Sequence, residues 1–161
     1  MHFGTFMEFG TRPGGTDAEA FREGFDHAKL CEDVGLDSVW LAEFHFMPAR
    51  SVLSSPIVVA GALARLTTRV RIGMAVYVLP LTNPLRVAEE SATIDQMSGG
   101  RLDLGIGRSG FARQYNIYNI DYGESQERFE KAVAVLRKAW TGEMFSHEGK
   151  FFQVTDAQLV P

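Results

Sequence analysis

The sequence predicts an α/β fold built around a parallel sheet. Strand-like apolar runs open at His2 (HFGTFMEF), Ser38 (SVWLAEF), Arg71 (RIGMAVYVLP) and Leu102 (LDLGIG). A helix-like stretch follows each of them, and such alternation implies parallel strands with helices packed outside. The runs are also apolar enough to be covered on both faces, as strands of parallel sheets are. Two architectures fit: an open doubly wound sheet, or part of a (β/α)8 barrel. A complete barrel needs roughly 250 residues. Four βα units in 161 residues are half of one.

Each helix has its own signals. The first is expected to begin near Asp17, a good N-cap, with Phe21, Phe25 and Ala28 at helical spacing and Gly35 as the stop. The second follows Ser55-Pro56 and the third Asn83-Pro84, an N-cap with proline at the first helical position. The fourth follows Ser125, with Phe129, Ala132, Val133, Leu136 and Trp140 as its apolar stripe. The tail GEMFSHEGKFFQV alternates around Glu148-Gly149-Lys150 and reads as a hairpin.

The second helix, 57-IVVAGALARL-66, carries one charge, Arg65. A helix apolar all round must be covered. A homo-oligomer interface is the expected cover, with the other half of the fold as the alternative.

Composition narrows the function. The chain is 45% hydrophobic and 22% charged, ordinary for a globular domain. Net charge is −4 with no basic stripe, so no nucleic-acid partner is expected. No apolar run reaches the roughly 18 residues of a membrane span. The opening MHFGTFMEFG lacks the basic region and apolar core of a signal peptide. Cys31 is the one cysteine, so no internal disulfide can form, which fits a reducing cytoplasm.

The stretch 37-DSVWLAEFHFMP-48 concentrates the chemistry. It starts as a buried strand, then places Glu43 and His45 among Ala42, Phe44, Phe46 and Met47. Burying charge is costly unless it is paired, so structural sheets avoid this, whereas active sites at strand ends use it. Glu43 and His45 have the same parity and share a face of a regular strand. Such a pair suits proton transfer near neutral pH, and it equally suits pinning the following loop. Two ligands without a third make no metal site. His27 and His147 have no motif around them. Tyr115, Tyr118 and Tyr122 either border a pocket or pack a loop. Asp95 and Arg101 flank SGG and read as a salt bridge or a helix-end contact.

Residues 105-GIGRSG-110 match G-x-G-x-x-G, the dinucleotide-binding turn. That fingerprint follows a first strand and opens a helix at once. Here it follows the fourth strand, and the next expected helix starts near Ser125, so the nicotinamide reading is set aside. Glycines still let backbone approach a ligand closely. Arg108 can hold a phosphate by a bidentate contact or pair with a nearby acid.

The order FGTF, DSVWLAEFHF, GMAVYVLPLTNPLRVAEE and DQMSGGRLDLGIGRSG resembles the bacterial luciferase-like, flavin-dependent monooxygenases along the whole chain. The resemblance implies a (β/α)8 TIM barrel of the luciferase-like type, of which this chain covers about the first four βα units. It implies reduced FMN, supplied by a separate flavin reductase, and O2 acting on an organic substrate such as an aldehyde, alkane, terpene or sulfonate. In one branch a reduced deazaflavin replaces FMN. It implies a non-prolyl cis peptide at Ala75-Val76 beneath the flavin, Gly107 passing the ring and Arg108 on the FMN phosphate. Luciferases end the second strand in Glu-His-His. Here Phe44 replaces the first histidine, His45 matches the second, and Glu43 keeps its place as an orienting residue. Phe44 puts light emission from aldehyde in doubt and is expected to shape an apolar pocket. A non-catalytic flavin-binding subunit is the third reading. The ending AQLVP, in mid-loop, favours a piece of a longer oxygenase that is nearly inactive alone.

Overall fold

A computed structural model describes residues 1–161. The elements, in chain order, are β1 (Gly4–Met7), α1 (Asp17–Asp33), β2 (Ser38–Leu41), α2 (Pro56–Leu66), β3 (Arg71–Met74), β4 (Tyr77–Val78), α3 (Pro84–Ser98), β5 (Leu102–Asp103), β6 (Ile106–Gly107), α4 (Ala112–Ile117), α5 (Ser125–Ala139), β7 (Phe145–His147) and β8 (Val154–Ala157). The α/β class is as expected. The chain forms two compact units: residues 1–77 with 94–105, and residues 78–93 with 106–161.

In the first unit, β1, β2, β3 and β5 form a sheet in that order, and every pair is parallel. The register aligns Met7, Leu41 and Met74 in one row and Phe6, Trp40, Gly73 and Asp103 in the next. Successive residues point to opposite faces, so the two rows meet different surroundings. Val39, Leu41, Ile72 and Met74 are fully buried, while α1 packs on β2 and α2 on β3. On the other face Phe6 is half exposed, and the Trp40 indole lies across Gly73.

The helix starts follow the sequence with corrections. Thr16, one residue earlier than expected, caps α1. Its hydroxyl accepts from the Glu19 N–H, and the Glu19 carboxylate accepts from the Thr16 N–H at 2.7 Å, a capping box. Asp17 is therefore the first helical residue, where a carboxylate suits the helix dipole. Helix α2 begins at Pro56 as predicted, although Ser55 makes no side-chain cap. Ahead of α3, the Asn83 side chain accepts from the Leu85 N–H at 2.9 Å.

Two predicted strands are broken. The run from Arg71 divides at Ala75-Val76, and the run from Leu102 divides where Gly105 N–H turns back to the Asp103 carbonyl at 3.1 Å. The second break depends on glycine, because a Cβ on Gly105 would lie 2.1 Å from the Met74 carbonyl oxygen. At this position the glycine is required by backbone packing.

In the second unit, α5 buries Ala132, Val135, Leu136 and Ala139. This corrects the expected stripe: Val133 is half-buried, and Trp140 lies past the helix end, 45% exposed, with its indole N–H donating to the Ala88 carbonyl. The predicted tail hairpin is present as antiparallel β7 and β8, joined by a longer connection than the three-residue turn expected. Helix α4 follows the glycine motif directly and was not expected. It is short, and it buries Gln114 and Tyr115.

Candidate functional site

Strand β2 ends at Leu41, and Glu43 and His45 stand just beyond it. The Glu43 Oε1 and His45 Nε2 atoms are 2.5 Å apart, and both side chains are at least nine-tenths buried. The burial is tolerable because the two groups partner each other. Where the carboxylate accepts this hydrogen bond, the imidazole Nε2–H is the donor. The next residue, Phe46, has φ 56°, a left-handed conformation uncommon for an aromatic side chain. The chain therefore turns sharply as it leaves His45.

Phe44, between the pair, is buried, and its N–H donates to the Leu53 carbonyl at 3.0 Å. The Arg50 guanidinium lies 4.1 Å above its ring. Arg50 is held in turn by both Glu8 oxygens, at 3.1 and 2.6 Å. One face of Phe44 is thus covered by a planar cation, a favourable stacking, and is not open as a pocket wall.

Strand β3 ends at Met74 beside Leu41, so Ala75 and Val76 leave the same edge of the sheet as Ala42 and Glu43. The Ala75 N–H donates to the Leu41 carbonyl at 2.8 Å. The Ala75-Val76 peptide is cis, as the resemblance implied, and Val76 is 39% exposed.

In the second unit, Gly107 ends β6 and Arg108 follows it. Arg108 pairs with no acid. Its guanidinium donates to the Ser125 hydroxyl at 3.0 Å and the Tyr122 hydroxyl at 3.4 Å, and lies 5.7 Å from the Tyr122 ring centre. The Tyr115 hydroxyl donates to the Arg108 carbonyl, and the Tyr115 ring meets Tyr122 edge-on at 5.1 Å. Burial pushes the Tyr115 phenol up to about 12, so it remains a donor at neutral pH. The tyrosines read from sequence as loop packing therefore fix Arg108 from both ends. Sequence reading missed Tyr122 and Ser125 as its partners. Ser125 registered only as a helix start, and no short-range pattern connects it to Arg108.

Other features take no part. A cavity of about 310 Å³ lies between β1 and α1, lined by Phe6, Glu8, Phe9, Arg12, Glu23 and His27 among others, and includes no predicted site residue. No three His, Cys, Asp or Glu side chains stand close enough to hold a metal ion. No helix is long and apolar enough to cross a membrane.

The family model described as luciferase-like monooxygenase matches residues 1–161. The chain belongs to this family. Among its relatives is the oxygenase component of the flavin-dependent trigonelline monooxygenase of Acinetobacter baylyi, 26% identical over 148 residues, which are 91% of this chain and 41% of that protein. The F420-dependent glucose-6-phosphate dehydrogenase of Kineococcus radiotolerans is 35% identical over 151 residues, 88% of this chain and 44% of that one. The crystal structure of the monooxygenase RslO1 from Streptomyces bottropensis superimposes with a TM-score of 0.94 at 28% identity, covering all of this chain and 49% of that one. The chain thus spans about half the length of these luciferase-like relatives. They fit a flavin or deazaflavin oxidation chemistry.

Proposed function

We propose that this chain supplies the first four βα units of a (β/α)8 barrel that works as a flavin-dependent monooxygenase. It uses reduced FMN and O2 to oxidise a small organic substrate, such as an aldehyde, alkane or terpene. A separate reductase delivers the reduced flavin. One observation carries this reading. In the first unit, the residues matched to catalytic roles, Glu43 and His45, and those matched to the flavin, Ala75 and Val76, lie just past the C-terminal ends of β2 and β3; in the second, the flavin-matched Gly107 and Arg108 lie at the C-terminal end of β6. Ligands of α/β folds bind at those ends.

The residues fit the cofactor. Arg108 offers a positive charge with only neutral partners, which suits a phosphate monoester. Val76, partly exposed past the end of β3, offers a flat ring an apolar rest. Reduced FMN, when bound, supplies the electrons that activate O2. The protein's own work is to bind, orient and exclude water. His45 holds or passes a proton at the imidazole, and Glu43 fixes its orientation. Phe44, buried beneath the Arg50 cation, adds apolar packing beside the pair.

A deazaflavin-dependent oxidoreductase is the second reading, favoured by the relative that uses F420. Oxygen consumption by the complete barrel with reduced FMN and an aldehyde separates the two. Uptake that depends on His45 supports the monooxygenase. Turnover with reduced deazaflavin and no oxygen uptake would replace it.

The exposed Val58 and Leu66 on α2 support contact with a second copy of the chain. Sedimentation velocity of the Val58→Glu, Leu66→Glu double variant tests it: a mass unchanged from the unsubstituted chain removes that contact.

A further inference from the structure

We infer that Arg50 is a positioning residue of the Glu43–His45 pair: held by Glu8 against the Phe44 ring, it closes the loop that carries the pair. The inference rests on the flavin reading above for the use made of the His45 proton, and adds Glu8 and Arg50 to it. Residues 42–53 leave the end of β2 and return beside the end of β1. The outgoing arm carries Glu43, Phe44 and His45, and the returning arm carries Arg50 to Leu53. At the base of the loop the Phe44 N–H donates to the Leu53 carbonyl at 3.0 Å. The returning arm is tied to the end of β1. There the Ser51 hydroxyl accepts from the Phe9 N–H at 3.2 Å, and the Val52 N–H donates to the Phe9 carbonyl at 2.7 Å.

The Arg50 side chain carries that placement across to the outgoing arm. Its guanidinium donates one N–H to each Glu8 oxygen, at 3.1 and 2.6 Å, and its central carbon lies 4.1 Å from the Phe44 ring centre. The Phe44 ring is buried and the Arg50 side chain is half exposed, so the cation is the outer cover of the ring. Phe44 stands between Glu43 and His45 in the chain, so a ring that cannot shift holds the backbone on both sides of it. The pair depends on that hold, because a hydrogen bond between buried polar groups is strong only while water is excluded. The contact uses what separates arginine from lysine: a fork for both carboxylate oxygens and a planar face for a ring. A lysine ammonium can meet Glu8 or the ring, but not both in this way.

The test records nitrogen-15 and proton spectra of the His45 ring from about pH 5 to about pH 8, in the unsubstituted 161-residue chain and in Glu8→Gln, Arg50→Met, Arg50→Lys, Phe44→Leu and the double variant Phe44→Leu, Arg50→Met. Exchange of the Phe44 amide reports loop opening alongside. Arg50→Met is expected to shift the His45 ring signals, to change their pH titration and to speed Phe44 amide exchange about three- to thirtyfold. Arg50→Lys recovers only part of this. In the Phe44→Leu background, Arg50→Met adds nothing further. Circular dichroism checks each fold. If Arg50→Met unfolds, Glu8→Gln, which alters only the outer partner of the clamp, decides by the same signals. Unchanged His45 ring signals in the deciding variant overturn the inference, even where amide exchange is faster, and reduce Arg50 to a loop anchor. A full Arg50→Met effect that persists without the Phe44 ring also overturns it. Oxygen uptake by the complete barrel that does not respond to His45→Ala overturns the catalytic use of the pair, a failure separate from anything the ring signals report.

Discussion

The Glu43 carboxylate and the His45 imidazole sit 2.5 Å apart, two and four residues past the end of an apolar strand, and both are buried. The pair sets which imidazole nitrogen carries the proton, because an ionised carboxylate can only accept. Nitrogen-15 chemical shifts should therefore show His45 protonated at Nε2 in the unsubstituted chain, and a changed ring protonation pattern in Glu43→Ala. Losing a charge-assisted hydrogen bond should also lower stability by about 1.5–3 kcal/mol. The same tautomer in both proteins would mean that Glu43 does not orient His45.

A second carboxylate works far from any site. Glu32, near the end of α1, accepts from the backbone N–H groups of Thr68, Arg69 and Val70 at 3.0, 2.7 and 2.8 Å. Burial alone pushes its pKa up, but the hydrogen bonds from Val70, Arg69 and Thr68 outweigh it and hold the group at about 2. A depressed pKa contributes stability that is full above the unfolded value of 4.5 and is lost as pH falls through about 2. Glu32→Gln should therefore cost about 2 kcal/mol at neutral pH and shift the thermal midpoint by several degrees. The difference from the unsubstituted chain should shrink below pH 4.5 and vanish near pH 2. A pH-independent difference would assign the effect to packing instead.

Much of this fold is legible in the sequence, for reasons that differ by element. Pro56 and Pro84 mark helix starts because proline has no N–H to lose there. The strand runs show because both faces of a covered parallel strand select apolar residues. Capping by Thr16 instead of Asp17 was not legible, since both are good caps and the choice depends on Glu19 reaching back. The division of the third and fourth strands was also hidden. In the fourth it depends on the Gly105 backbone meeting Met74, a contact between residues distant in sequence. At the candidate site, Glu43, His45 and Arg108 stood out as polar residues at the ends of apolar runs. Tyr122 and Ser125 did not, because they reach Arg108 only through the fold.

Arg101 shows the difference between a charge and a geometry. All five of its N–H groups are used: Nε on the Ser98 carbonyl, one terminal nitrogen on the Thr67 hydroxyl and the Val70 carbonyl, the other on the Ala64 and Thr67 carbonyls, at 2.8 to 2.9 Å. It closes the C-terminal end of α2, whose last carbonyls have no partner within the helix. Asp95 instead accepts from the Leu102 N–H, so the two residues make a helix-end contact and no salt bridge. Lysine keeps the charge but loses the fork. Arg101→Lys should therefore cost about 2–4 kcal/mol in urea unfolding, nearly as much as Arg101→Met. A lysine variant within about 0.5 kcal/mol of the unsubstituted chain would reduce Arg101 to a simple cation.

Gly73 and Trp40 lie side by side in the register of β2 and β3. A Cβ on Gly73 would stand 2.2, 2.5 and 2.6 Å from three atoms of the indole ring, closer than any real contact. Trp40 is also tied by its N–H to the Ser38 hydroxyl at 2.9 Å, so it cannot shift without breaking that bond. Gly73→Ala should therefore destabilise the sheet by about 1–3 kcal/mol and change the Trp40 emission spectrum. The cause is specific to one neighbour, so the cost should depend on that neighbour. In the Trp40→Ala background, Gly73→Ala should cost little, and the double-mutant cycle should give a coupling of about 1 kcal/mol or more. Additive costs would show that Gly73 is required for its backbone and not for the space that Trp40 fills.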